Sequence, residues 1–252
     1  FVVLLGLVSG YVYYQKVHDT VPQSILADKG DEIKDISKKE DAKDVPPLLK
    51  EINERALKIR TFICDNVEIK VWQDNKRSNR LTGRIQYEKP NNFHMEIFSV
   101  LGKEADIGSN EKVFWYWSRR DKHPALYWAA HEDFEKTRLK TPFNPILMRA
   151  SLGQELLDLK KAKIDENEKE MKVVCPQQSA SGQPILFTVI INKSRKEVDG
   201  FVVTNLEGKY LASCEIRERN GNLPKVVLYT WHEENRVMQM TFNRPATNIG
   251  IQ

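Results

Sequence analysis

From Ile63 onward the chain alternates apolar and polar residues in run after run, and most links between the runs are short. Ile63, Val67, Ile69 and Val71 alternate with Asn66, Glu68 and Lys70, and Leu81, Gly83, Ile85 and Tyr87 alternate with Thr82, Arg84 and Gln86. A period of two is the signature of a strand with one covered face. Further runs occur at Phe93–Ile97, Val113–Trp117, Ala125–Ala129, Met171–Val174, Ile185–Ile191, Val198–Thr204, Tyr210–Ile216, Val226–Trp231 and Val237–Phe242. Asn192-Lys193-Ser194-Arg195, Asn220-Gly221 and Glu233-Glu234-Asn235 carry turn chemistry. Parallel neighbours need crossovers of about a dozen residues, so these runs predict about eleven strands, nearly all linked antiparallel.

Two stretches break this period. Pro46-Pro47 opens a helix whose apolar stripe is Leu48, Leu49, Ile52, Ala56 and Ile59, with Lys50, Glu51, Glu54, Arg55 and Lys58 opposite. Within Thr141–Lys161, Asn144-Pro145 starts a second helix through Ile146, Leu147, Met148 and Leu152, stopped by Gly153, and a short turn follows through Leu156, Leu157 and Leu159. The predicted order is helix, five strands, helical insert, six strands. One large curved antiparallel sheet, its apolar face closed by the helical pieces, is the economical solution for this mainly β, α+β chain. A sheet this wide curls or splits. The inner face then either packs tightly or leaves an apolar hollow, and pattern alone does not separate the two.

The N-terminal end differs in texture. Phe1–Tyr14 is apolar apart from Ser9, and a bilayer span needs roughly 17–25 such residues. Leu4, Leu5, Leu7 and Val8 with the Tyr11, Tyr13, Tyr14 cluster favour an uncleaved membrane anchor over residues 1–15, because amphipathic aromatic rings settle at headgroup level. The span reading expects further apolar residues upstream of Phe1; a signal-peptide core or a buried strand shares the composition. Leu7-Val8-Ser9-Gly10 is followed by Tyr11, where a lipid-modified protein would need Cys. Residues 16–45 mix both charge signs and carry too little apolar surface to order themselves, so they read as a solvated tether. The folded domain is expected over 46–252.

Composition removes several functions. Lys and Arg total 39 against 35 Asp and Glu, a net charge of +4 that provides no concentrated footprint for nucleic acid. Cys64, Cys175 and Cys214 share no metal-binding spacing. No Walker loop, GxGxxG, HExxH or GxSxG is present, so neither an enzyme nor a cofactor is expected. His131-Glu132-Asp133 in an extended segment would point to opposite faces. Arg119-Arg120-Asp121-Lys122 reads as a charged hairpin tip, with lipid phosphates as its conceivable contact. Trp115, Trp117 and Trp128 suit either a ligand platform or, more commonly, a core.

The stretch Leu81–Met95 (LTGRIQYEKPNNFHM) resembles the strand–Pro–strand signature of the bacterial lipoprotein carrier and receptor family, the LolA/LolB family. Ala105–Trp117, Thr141-Pro142-Phe143 with its following helix, and Met240–Pro245 are similar to later elements of that family, in the same order. The resemblance implies an incomplete β-barrel closed by helices around a cavity for acyl chains. It also implies a non-catalytic role in the periplasm, moving lipid-modified proteins between membranes. Cavity contacts would come from the inward set Ile69, Ile85, Tyr87, Met95, Ile97, Phe187 and Val189, and a one-residue slip would exchange the faces. Lys89 stands where the family often has an Arg that holds a lid closed, a point charge in place of a bidentate fork. The rival expectation is a structural subunit of an envelope complex, with the same fold and a packed interior.

Overall fold

A computed structural model describes residues 45–77, 80–119, 123–130, 133, 150–152, 157, 159, 162–178 and 183–250. The expected anchor, the tether up to Asp44 and most of the expected insert at Thr141–Lys161 lie outside the described residues. Helix α1 spans Pro47–Lys58. Pro47 sits in its first turn, where a missing N–H costs nothing, and Arg55 and Lys58 place positive charge against the C-terminal end of the helix dipole. Leu49, Ile52 and Ala56 form its buried stripe, as the spacing predicts. Among the described residues no helix is long and apolar enough to cross a membrane.

The strands are β1 (Thr61–Gln73), β2 (Lys76–Arg77), β3 (Leu81–Glu88), β4 (Asn92–Ser99), β5 (Gly102–Ser109), β6 (Val113–Ser118) and β7 (Tyr127–Ala130). After the insert come β8 (Lys163–Glu166), β9 (Glu170–Gln178), β10 (Pro184–Asn192), β11 (Glu197–Asn205), β12 (Tyr210–Asn220), β13 (Leu223–Trp231), β14 (Arg236–Phe242) and β15 (Ala246–Thr247). They form one antiparallel sheet in the order β7-β6-β5-β4-β3-β1-β14-β13-β12-β11-β10-β9-β8, with the two-residue β2 and β15 flanking β1. Each half is a meander of neighbours in sequence. The exception is the seam, where β1 pairs with β14 from Val67 opposite Phe242 to Gln73 opposite Arg236.

The sheet has more strands than the eleven expected. β5 escaped because Lys103, Glu104 and Asp106 interrupt its alternation, and a bulge shifts the register between Ile97 and Phe98. Glu104 is wholly buried there and pairs with Arg119 while the Ser99 hydroxyl donates to it. β8 escaped because its only large apolar side chain, Ile164, lies on an otherwise exposed edge.

The inner face carries one continuous apolar cluster, running from β3–β6 through β1 and β14 to β9–β13 and including Leu49 and Ile52 of α1. Ala150, Leu152 and Leu157 of the insert region join the same cluster, and side chains of so many strands share it as in a wide twisted sheet that curls. Among the described residues the sheet does not close: β7 and β8 are its two ends. On the opposite face Trp72, Leu228 and Val237 make a separate small apolar patch. Cys64, Cys175 and Cys214 are buried, and no disulfide forms among the described residues.

Gly200 shows how tightly β11 and β12 approach. A Cβ there would fall on the carbonyl of Cys214 in the neighbouring strand, and backbone cannot step aside cheaply. Gly200→Ala is therefore expected to lower the unfolding free energy by about 1–3 kcal/mol in urea titration. An unchanged midpoint would contradict this strand contact.

Candidate functional site

The seven inward residues singled out from sequence lie together. Ile69, Ile85, Tyr87, Met95, Ile97, Phe187 and Val189 are each at most 3% exposed and belong to the single inner cluster. Register aligns them: Cys64, Ile85, Met95, Ile107 and Tyr116 form one cross-strand row, and Phe62, Tyr87 and Phe93 form another. Aromatic rings thicken the layer, with Phe62 edge-on to Phe242 at 5.7 Å, and Phe187, Phe201 and Tyr229 in sequence at 5.2 and 6.1 Å. Burial pushes the Cys214 thiol and the Tyr229 hydroxyl well above their ordinary pKa, so both stay neutral. Arg236, at the end of this face, is paired with Glu234 at 3.1 Å and with Gln73 at 3.0 Å. The seven side chains touch protein rather than solvent, so hydrocarbon could join them only if part of their cover moved.

That cover is fastened by polar contacts around α1. The Lys89 ammonium, in the turn between β3 and β4, donates to the Ala56 carbonyl near the helix C-terminus, and the Lys89 amide donates to the Arg60 carbonyl at 2.9 Å. The Asn53 side chain pairs with the Leu157 backbone both ways: its Nδ2 donates to the carbonyl at 3.2 Å and its Oδ1 accepts from the amide at 3.0 Å. Arg55 donates to the Lys196 carbonyl in the β10–β11 turn, and Lys196 reaches Glu51 at 3.3 Å. Lys89, which the family resemblance singled out, thus touches the helix, whereas sequence reasoning passed over Asn53, whose partner lies 104 residues away.

The outer face of β4–β7 holds a second feature. Two cross-strand rows run side by side there: His94, Gly108, Trp115 and Trp128, and Glu96, Asp106 and Trp117. They form a groove of about 610 Å³ lined by His94, Lys103, Asp106, Val113, Trp115, Trp117, Leu126 and Trp128. Trp115, Trp117 and Trp128 are thus not core residues. The run Phe114–Trp117 has no polar member, so its alternation is invisible in sequence, although Phe114 and Tyr116 turn inward and Trp115 and Trp117 outward.

Asp106 is the hub of this groove. Its Oδ1 receives Trp115 Nε1 and lies 3.0 Å from His94 Nε2, and its Oδ2 accepts from Lys103 at 2.8 Å. Burial acts to raise the Asp106 pKa, but the hydrogen bonds from His94, Lys103 and Trp115 outweigh it and hold the carboxyl well below the usual carboxylate range. Lys103 also pairs with Glu96, which in turn pairs with Arg84. Ligand atoms of His94, Glu96 and Asp106 lie within 4.8 Å of one another, a metal-like spacing, yet Lys103 already supplies positive charge to both carboxylates.

An open antiparallel sheet curled around an apolar interior and covered by a helix is the LolA/LolB-like fold. The chain superposes on a LolA superfamily protein from Nitrosomonas europaea with a TM-score of 0.52 and 11% identity, over 81% of this chain and 94% of the other. It superposes equally on a domain ascribed to outer-membrane lipoprotein sorting from Vibrio parahaemolyticus, with a TM-score of 0.51 and 11% identity over 80% and 93%. A DUF1329 family protein from Desulfovibrio piger gives a TM-score of 0.53 and 6% identity over 81% and 92%. At such identities the likeness is one of fold. No family model matches the sequence, and no curated protein matches it.

Two outcomes follow from these contacts. Asn53→Ala leaves both backbone groups of Leu157 without their partner, so it is expected to cost about 1–3 kcal/mol and to speed hydrogen exchange at the Leu157 amide. Unaltered exchange there would show that the pair does not fasten the helix. Asp106 has a folded-state pKa below its unfolded value of about 3.9, so its stabilising contribution is complete above about pH 4 and declines as pH falls toward the folded value. The stability gap between the native protein and Asp106→Asn should narrow below about pH 4 in denaturant titrations. A gap independent of pH would contradict the network.

Proposed function

We propose that the protein binds lipid or lipoprotein acyl chains, without catalysis, in the apolar interior between the curled sheet and α1. The observation that carries this reading is the continuous apolar inner face, with Ile69, Ile85, Tyr87, Met95, Ile97, Phe187 and Val189 at its heart. Its energetics are favourable: about 0.8 kcal/mol per buried methylene gives roughly 8 kcal/mol for ten of them, near micromolar binding before ordering costs. The structural neighbours named for the LolA superfamily and for lipoprotein sorting support it. In this reading Leu4, Leu5, Leu7, Val8, Tyr11, Tyr13 and Tyr14 hold the chain at a bacterial membrane. The tether then lets the domain work in the periplasm and pass its cargo between membranes. Lys89 acts as the latch: its bond to Ala56 must break for α1 to lift.

The near-complete burial of the seven inner residues favours a second reading, a packed domain that serves as a subunit of an envelope complex. Native mass spectrometry and solvent extraction of the purified chain separate the two. The lipid reading expects co-purifying acyl species, or uptake of a fluorescent fatty acid at about 10 μM, faster in Lys89→Met. An interior that neither carries nor takes up lipid, in a chain that co-purifies with a protein partner at fixed stoichiometry, would select the second reading.

A further inference from the structure

We propose that the outer groove binds a neutral saccharide, with sugar rings stacked on the indoles of Trp115, Trp117 and Trp128. The site is separate from the interior, because these side chains lie on the opposite face of β5–β7 from Ile107 and Tyr116. Its construction begins at Gly108. A Cβ on that residue would fall inside the Trp115 ring, so the indole lies directly against the strand backbone. Asp106 fixes the ring's edge through Nε1 at 3.0 Å, and Asp106 is itself held by His94 and Lys103. One face of the indole is thus seated and the other borders the groove. Trp128 is the direct cross-strand partner of Trp115 and is 68% exposed, and Trp117 lies two residues along the same face. Val113 and Leu126 complete the walls.

A ring held on one face and one edge is pre-organised, which removes the ordering cost that usually weakens binding. The groove's size of about 610 Å³ falls within the range of small-ligand pockets. Charge then narrows the ligand. Arg84 and Lys103 are matched by Glu96 and Asp106 in one paired network, so the groove selects neither an anion nor a cation. A wholly apolar ligand would bring no partners for the polar groups at the floor. A sugar ring suits both parts. Its C–H bonds on one face carry partial positive charge and meet the negative face of an indole. Its hydroxyls donate to the remaining lone pair of Asp106 Oδ2 and accept from the ammonium of Lys103.

The test is titration of the full chain with the neutral tetrasaccharides chitotetraose, cellotetraose and maltotetraose, read by tryptophan fluorescence and by calorimetry. At least one is expected to bind in the range of about 0.1–1 mM. Trp128→Ala, at a position too exposed to disturb the fold, should weaken it about tenfold or more. Gly108→Ala, which displaces the Trp115 indole without removing it, should weaken it too. The proposal is overturned if no tetrasaccharide binds at about 10 mM, or if binding persists in Trp128→Ala. It is also overturned if a proline-rich peptide or a phosphatidylcholine vesicle proves to be what Trp128→Ala releases.

Discussion

Seven residue pairs between β1 and β14, from Val67 opposite Phe242 to Gln73 opposite Arg236, join two meanders that would otherwise be separate ribbons. Each ribbon alone would leave its apolar side in water, a large loss at about 25 cal/mol per Å². Once joined, the ribbons form a sheet wide enough to curl, and one inner face becomes a shared core. The seam also sets where the ends fall: β7 and β8, separated in sequence by the insert, become the two ends of an open sheet. Its partners lie far apart in the chain, so loop closure must precede the contact that rewards it, which marks the fold as a slow one.

Much of this was legible in residues 46–252 because local patterns agreed with the final fold. Leu49, Ile52 and Ala56 announced the buried side of α1, and alternation put Ile69, Ile85, Met95 and Val189 on one face in the right phase. The seam was not legible, since nothing local in Ile69 or Met240 says that they pair. β5 was hidden because three charged residues sit in it for reasons outside the strand: Glu104 meets Arg119, while Lys103 and Asp106 serve the outer groove. That groove was concealed in turn by an all-aromatic run whose phase only neighbouring strands decide. Local pattern therefore placed the inner face, while for Trp115, Trp117 and Trp128 it left platform and core both open.

The two faces of the sheet follow opposite chemical rules. Inside, burial keeps Cys214 and Tyr229 neutral and the surroundings are hydrocarbon and aromatic. Outside, over β4–β7, charges are numerous but paired, and the apolar surface includes the Trp115 indole, anchored at its edge by Asp106. Helix α1 belongs to the first face and is fastened by a few polar contacts, each worth about 0.5–1.5 kcal/mol. Its apolar stripe adds roughly 1.5–3 kcal/mol for each of Leu49 and Ile52. Hydrocarbon entering beneath it would replace like with like, so the lost contacts are largely restored by the guest.

The central claim is that the inner face, and not the outer groove, receives hydrocarbon. It is tested most directly by methyl NMR of the full chain with a fatty acid carrying a nitroxide on its tail. The account predicts selective broadening of the methyls of Ile69, Ile85, Met95, Ile97 and Val189, with Val113 and Leu126 unaffected. Broadening confined to Val113 and Leu126, or none at all at saturating probe, would contradict it.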